Sequence, residues 1–301
     1  MKLPFGISQF TTSPLTFEED LDLYQDCGID YIEVCEDKMD EIDPQPQIMA
    51  LLESGLSVES IQPRLHSVFP LQTQPEPYDS LTRVEAFRET IETFAPHFPG
   101  VTFITVTGQA PGGNFKEAYA EAGRFYRELG IIAEANGVSI ALEPLNPISM
   151  NVDSFICSLA HARRLIDAAA SPAFGLCIDT WHLWEDESIA YHLREIAPKI
   201  FAVHLSDWRT PRSPRDRKLP GDGIIPLQTF LRTIHDSGYD GIYTLELFSD
   251  LTFTDSLWRQ PRQTIDMGRA KFAQLWSELT GWTESQKSDA ASLNGRISVL
   301  A

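Results

Sequence analysis

Four side chains able to bind a metal or move a proton stand at the ends of short apolar runs. Glu143 closes "VSIALE", Asp179 closes "FGLCID", His204 follows "IFAV" and Glu246 follows "IYTL". One carboxylate in such a place is most often a helix N-cap or a hydrogen-bonded structural group. Four in succession carry a different implication if their runs lie side by side, because three buried carboxylates without a cation repel one another strongly. Three oxygen donors and one imidazole suit Mn²⁺, Mg²⁺ or Co²⁺, with Zn²⁺ also compatible, and leave coordination positions for a substrate. In "GLCIDTWH" the same segment adds His182, an imidazole that either contacts a substrate or orients Asp179 as a hydrogen-bond donor.

The elements that would bring these ends together are repeated strand–helix units. Eight β-rich runs can be counted: "PFGISQF", "YIEVCE", "SVESIQ", "VTFITVTG", "VSIALEP", "FGLCID", "IFAVHLSD" and "IYTLELFS". Helical segments lie between them, among them "TFEEDLDLYQDCG", with Thr16 as N-cap and Gly28 at its end, "YDSLTRVEAFRETIETFAPHF", "FKEAYAEAGRFYRELGIIAEANG", "VDSFICSLAHARRLIDAAA" and "IPLQTFLRTIHDSG". Glycine recurs just before the next strand in "SGLSV", "NGVSI" and "SGYDGIY", the turn chemistry that returns a helix to a parallel strand. Eight such units predict an α/β fold, a single-domain (β/α)8 TIM barrel over residues 1–282, in which all strand C-termini point to one face. Residues 283–301 read as a C-terminal tail, either frayed or packed on a second subunit. No GxGxxG follows the first strand and "GQAPGGNF" lacks a Walker lysine, which argues against a nucleotide-binding fold.

Composition narrows the partners. The 301 residues carry a net charge of -19, which repels phosphate backbones and anionic lipid surfaces, so neither nucleic acid nor membrane is expected as a partner. The four cysteines, Cys27, Cys35, Cys157 and Cys177, form no CxxC pair and fit reduced core thiols in a cytoplasmic protein. The N-terminus has no apolar signal region.

Other polar residues are weaker candidates. Gln62 near the end of the third strand and Asn146 just after Glu143 would hydrogen-bond either substrate hydroxyls or local backbone. Glu33 would project into the barrel mouth, and His66 falls on a loop. Histidines 97, 161, 192 and 235 fall on helices or their ends and read as surface. Trp181, Trp184 and Trp208 would either wall a pocket for a polar ligand or pack in the core. The stretch "RTPRSPRDRK" gathers five basic residues, which either attract an anionic substrate or form a solvated loop.

The order Glu, Asp-Thr-x-His, His-x-x-Asp, Glu on strands five to eight resembles the xylose isomerase-like barrel superfamily of sugar isomerases and epimerases, and most closely its ketose 3-epimerase and hydroxypyruvate isomerase branch. The resemblance spans roughly residues 3–280 in strand order and is specific in the second half of the chain. It implies one divalent ion, Mn²⁺ first among the candidates, held by Glu143, Asp179, His204 and Glu246, with Glu143 and Glu246 doubling as acid–base groups. It also implies that His182 and Arg217 lie beside the substrate, and "LPGDGIIP" resembles the turn that borders the site in that branch. Family members often pair, so a homo-oligomer is compatible with it. The endonuclease IV branch of the same superfamily carries extra zinc-binding histidines, and these are missing here: the matching stretch holds Asp216, Arg217 and Lys218.

The implied chemistry is proton transfer on a hydroxy-ketone. A divalent ion chelated by a carbonyl and a neighbouring hydroxyl acidifies the C–H bond between them and stabilises the resulting enediolate. Returning the proton gives isomerisation or epimerisation of a small ketose or related compound; expelling a β-hydroxyl instead gives a lyase acting on a keto-inositol or dehydroshikimate. A barrel that binds a sugar or protein without catalysis is the reading from another class.

Overall fold

The computed structural model describes residues 2–186, 189–211 and 215–283. Its eight strands are β1 (Phe5–Ser8), β2 (Tyr31–Cys35), β3 (Ser57–Gln62), β4 (Thr102–Thr105), β5 (Ser139–Leu142), β6 (Phe174–Asp179), β7 (Ile200–Leu205) and β8 (Tyr243–Leu245). Each pairs in parallel with its neighbours, and β8 returns to β1 to close the barrel. The expected (β/α)8 TIM barrel is the fold of this chain. Helices cover its outside: α1 (Phe17–Asp26), α2 (Gln45–Ser54), α3 (Ser80–Phe94), α4 (Phe115–Ala135), α5 (Leu159–Ala169), α7 (Ile189–Ile196), α8 (Leu227–Asp236) and α9 (Pro261–Thr280), while the single buried turn α6 (Thr180–Leu183) follows directly on the end of β6.

Local chemistry sets the helix ends. Thr16 Oγ1 accepts from the Glu19 N–H while the Glu19 carboxylate accepts from the Thr16 N–H, a reciprocal cap that contributes about 1 kcal/mol. The segment expected to be helical from Val152 behaves differently. Ser158 is the N-cap of α5, and the residues before it are drawn into extended structure by the Thr107 hydroxyl, which bonds Ser154 Oγ and the Phe155 N–H, while Phe155 is buried. Those residues thereby become part of the upper rim of the barrel. The tail lies outside the described residues from residue 284 onward.

The main core lies between strands and helices, and a small apolar layer of Ile104, Ala141, Cys177 and Ala202 fills part of the barrel interior. All four cysteines are buried and unpaired. Two register shifts matter for the interior. Opposite Cys177, β7 carries the extra residue Phe201, and a Cβ on Gly175 would sit 2.4 Å from the Lys199 carbonyl oxygen, so only glycine fits beside that bulge.

On β3 the extra residue is Glu59, which is half-buried and bonded to Thr244 Oγ1. Burial pushes its carboxyl up to about 8. The folded state thus holds a proton there that the unfolded chain, titrating near pH 4–5, has lost. Stability from this group is present at low pH and is lost as pH rises through about 8. Glu59→Gln is therefore expected to raise the melting temperature by a few degrees at about pH 9 and to change it little at about pH 4. Melting curves across this range check it; a difference that does not grow with pH contradicts it.

Candidate metal centre and active site

The closed barrel brings the four strand-end side chains together. Asp179 and His204 are register partners at the ends of β6 and β7. Glu143 and Glu246 each sit one residue past a strand and extend its ladder, the Glu143 N–H donating to Thr105 O at 2.8 Å and the Glu246 N–H to Leu205 O at 3.2 Å. All four are buried, and one ligand atom from each lies within 4.8 Å of those of the other three. His204 Nδ1 is 3.2 Å from Glu143 Oε1 and 3.6 Å from Glu246 Oε2. Cys177 forms a second such grouping with Glu143 and His204 and adds a soft donor below the first.

Charge is unevenly supplied here. Glu33 joins Glu143, Asp179 and Glu246 within the barrel, and these four carboxylates face Arg217 and the His204 ring. Arg217 Nη1 donates to Asp179 Oδ2 at 2.8 Å and to Glu246 Oε2 at 2.9 Å. Burial, the largest single influence, opposes the ionised form of Asp179, but Arg217, His182, His204 and the Trp181 N–H together outweigh it and hold the group below the usual carboxylate range. Burial wins at Glu246, which is pushed up to about 8 despite His204 and Arg217. At His204 burial is outweighed by Cys177, Glu33 and Glu246, so the ring holds its charge well above the usual range. A donor set of three buried carboxylates and an imidazole, with negative charge in excess of the local cations, fits a divalent ion.

Glu143 and Glu246 of the cluster line a cleft of about 700 Å³, together with Trp181, His182, Arg217 and Phe248, while Asp179 and His204 are fully buried behind them. His182 is buried, which lowers its tendency to protonate. The Asn146 N–H donates to His182 Nδ1 at 2.8 Å, so the neutral ring carries its proton on Nε2. That nitrogen lies 3.2 Å from Arg217 Nη2, so two N–H donors stand side by side at the cleft, a pairing that an oxygen accepting from both would relieve. The Arg217 guanidinium also lies over the rings of Trp181 and Phe248.

Arg217 is placed by Asp207, the last residue of "HLSD". One Asp207 carboxylate accepts from the backbone N–H groups of Trp208, Gly221, Gly223 and Ile225, folding the β7–α8 loop into a turn. A Cβ on Gly223 would stand 2.3 Å from Asp207 Oδ1, so glycine is required for this approach. Asp207→Ala is expected to cost about 3 kcal/mol by orphaning those donors, and to lower kcat/KM by about 10–100-fold as Arg217 loses its support. Denaturant unfolding and steady-state kinetics check this; unchanged kcat/KM contradicts the positioning role. Arg83 does similar work on the opposite wall, where its buried guanidinium binds carbonyls of Ser67, Gln74, Glu76 and Pro77 and so folds the loop that carries His66, Leu71 and Gln72 into the cleft.

The structure thus gathers Glu143, Asp179, His204, Glu246, His182 and Arg217 into one site. Arg217, for which a solvated loop was a nearly equal expectation, is almost fully buried. Gln62 lines the cleft and donates to Glu33 Oε1 at 3.4 Å. Asn146 makes the local contacts that were one of its two expectations: its amide oxygen accepts from the Ile148 N–H, its amide nitrogen donates to Glu185, and its backbone N–H holds His182. Trp181 lines the cleft and Trp208 stacks on its outer face at 4.4 Å between ring centroids. His66 is also a cleft residue, a position its loop gave no sign of. Glu33 reaches further than the barrel mouth expected for it and binds His204 from below. Among the described residues no helix is long and apolar enough to cross a membrane.

Comparison with known proteins gives a consistent picture. The sequence profile of the xylose isomerase-like TIM barrel family matches residues 21–271. The chain is 26% identical over 263 residues to an inosose isomerase of Bacillus velezensis, covering 82% of this chain and 89% of the relative. It is 27% identical over 249 residues to an L-ribulose-5-phosphate 3-epimerase of Escherichia coli, covering 77% and 82%. The crystal structure of the IOLI protein with a bound zinc atom superposes with a TM-score of 0.70 at 20% identity, covering 92% of this chain and 99% of that one.

Proposed function

This chain belongs to the xylose isomerase-like TIM barrel family, and from that membership we propose that it is a divalent-metal-dependent isomerase or epimerase of a small ketose or related hydroxy-carbonyl compound. The observation that carries the reading is the meeting, at one cleft, of the Glu143–Asp179–His204–Glu246 donor set with the two N–H donors of His182 and Arg217. The relatives named above are an inosose isomerase and a sugar-phosphate epimerase, which supports enzymatic activity on a sugar-like substrate.

Glu143, Asp179, His204 and Glu246 would hold the ion, which when bound supplies Lewis-acid stabilisation of the negative charge that develops beside the carbonyl. His182 Nε2–H and Arg217 Nη2–H would bind a substrate oxygen and fix which C–H bond faces a base. Glu143 and Glu246 follow strands five and eight and both reach the Nδ1 edge of His204. One removes the proton from the carbon next to the carbonyl and the other returns a proton to the enediolate. Phe248 and the edge of Trp181 would offer apolar surface to sugar C–H groups and restrict water. Mn²⁺ is the first metal to test, and Zn²⁺ the second, because the similar IOLI structure holds zinc.

The test is a panel of free and phosphorylated ketoses, keto-inositols and 3-dehydroshikimate incubated with Mn²⁺- or Zn²⁺-loaded protein. An isomer or epimer of unchanged mass supports the proposal. A product lighter by one water would make the protein a lyase, and no turnover in the presence of tightly bound metal would favour a binding barrel.

A further inference from the structure

Glu33 on β2 is a fully buried carboxylate that neither the proposed metal set nor the proton transfer uses. Its Oε2 lies 2.8 Å from His204 Nε2 and accepts from Ser60 Oγ at 2.8 Å, while its Oε1 accepts from Gln62 Nε2. The His204 ring is therefore held between two sets of carboxylates. Its Nε2 edge meets Glu33, and its Nδ1 edge meets Glu143 and Glu246.

An imidazole that binds a metal gives up the proton on the binding nitrogen and keeps the other. Here the edge facing the remaining donors is Nδ1, and the edge facing Glu33 is Nε2. We propose that Glu33 is a positioning residue that keeps the proton of His204 on Nε2, assigns Nδ1 to the metal and thereby strengthens metal binding. The inference rests on the metal-site reading above. The physical cause is direct: a carboxylate accepting the distal N–H fixes the ring's tautomer and rotation and makes the other nitrogen a better donor. Ser60 and Gln62 in turn fix the Glu33 carboxylate, which explains why the cleft residue Gln62 points one amide hydrogen below the site. The β3 bulge at Glu59 sets the register that pairs Ser60 with Glu33.

The experiment measures Mn²⁺ and Zn²⁺ dissociation constants for the full chain and for Glu33→Gln and Ser60→Ala, with circular dichroism to verify folding. Glu33→Gln is expected to weaken binding by about 10–100-fold, and Ser60→Ala to weaken it by a smaller factor. Unchanged constants in a folded Glu33→Gln variant overturn the proposal. Should that variant fail to fold, nitrogen-15 NMR of the Zn²⁺-loaded wild type decides the question by itself. A protonated Nε2 with Nδ1 shifted by the metal supports the assignment, and the reverse tautomer overturns it. A wild type that binds neither ion would instead sink the metal reading on which the proposal rests, so the two failures are distinct.

Discussion

Glutamine in place of Glu246 is expected to lower kcat by about three orders of magnitude while the barrel stays folded. Glutamine has the size of glutamate and can still accept the 2.9 Å bond from Arg217 Nη1, so the packing at the end of β8 survives. An amide cannot take up and return a proton at neutral pH, and that is the property removed. Glu143→Gln should show a loss of similar order for the same reason. If the two act in one sequence, the double variant will be little worse than either single one, because losses within one catalytic unit are far from additive. Bound metal, kcat and KM must be measured together: amide oxygen is a weaker ligand than carboxylate, and assays at saturating metal separate the two effects. Full activity in both metal-loaded variants would remove these residues from the catalytic role.

Asp179→Ala should have the largest effect on the metal. Asp179 is completely buried, accepts the Trp181 N–H at 2.6 Å through Oδ1 and binds Arg217 through Oδ2. Its removal subtracts one of the four proposed ligands and leaves a buried guanidinium with one carboxylate fewer. Metal affinity is expected to fall by at least about 100-fold, activity to become undetectable and stability to drop by about 3–5 kcal/mol. Asp179→Asn, which keeps an oxygen for the Trp181 N–H, should recover part of the stability and little of the affinity. Equilibrium dialysis with elemental analysis reads the affinity directly. Metal binding that survives Asp179→Ala unchanged would move the ion away from the strand ends.

The strand ends were legible because burial and polarity conflict there: an apolar run that breaks into Asp179 or Glu246 must serve either a cap or a site, and Asp179 serves as both a cap and a member of the cluster. Barrel geometry then converts sequence order into proximity. What could not be read depends on contacts between distant segments. Arg217 lies in a stretch of basic residues that looks solvated, and its burial follows from Asp207 folding the loop back. Glu33 differs from an ordinary alternating strand residue only through His204, far along the chain. Asn146 left two readings open because its local role, capping the short turn at Pro147–Ser149, depends on a backbone path that the sequence does not display. The start of α5 was misread because Thr107 offers the chain before Ser158 hydrogen bonds that a local helix signal does not reveal.

The central claim, proton transfer by two different glutamates beside a carbonyl, is tested most directly in D₂O. Metal-loaded protein is incubated with the best substrate of the panel, and product and recovered substrate are followed by mass and proton NMR. A proton returned by a second glutamate in exchange with solvent places one deuterium on the reacting carbon, with no loss of water, and Glu143→Gln and Glu246→Gln suppress that incorporation. Turnover that leaves the product free of solvent deuterium would contradict the account, because the substrate's own hydrogen would then have been returned, by one group or by direct transfer, and not replaced from a second carboxylate.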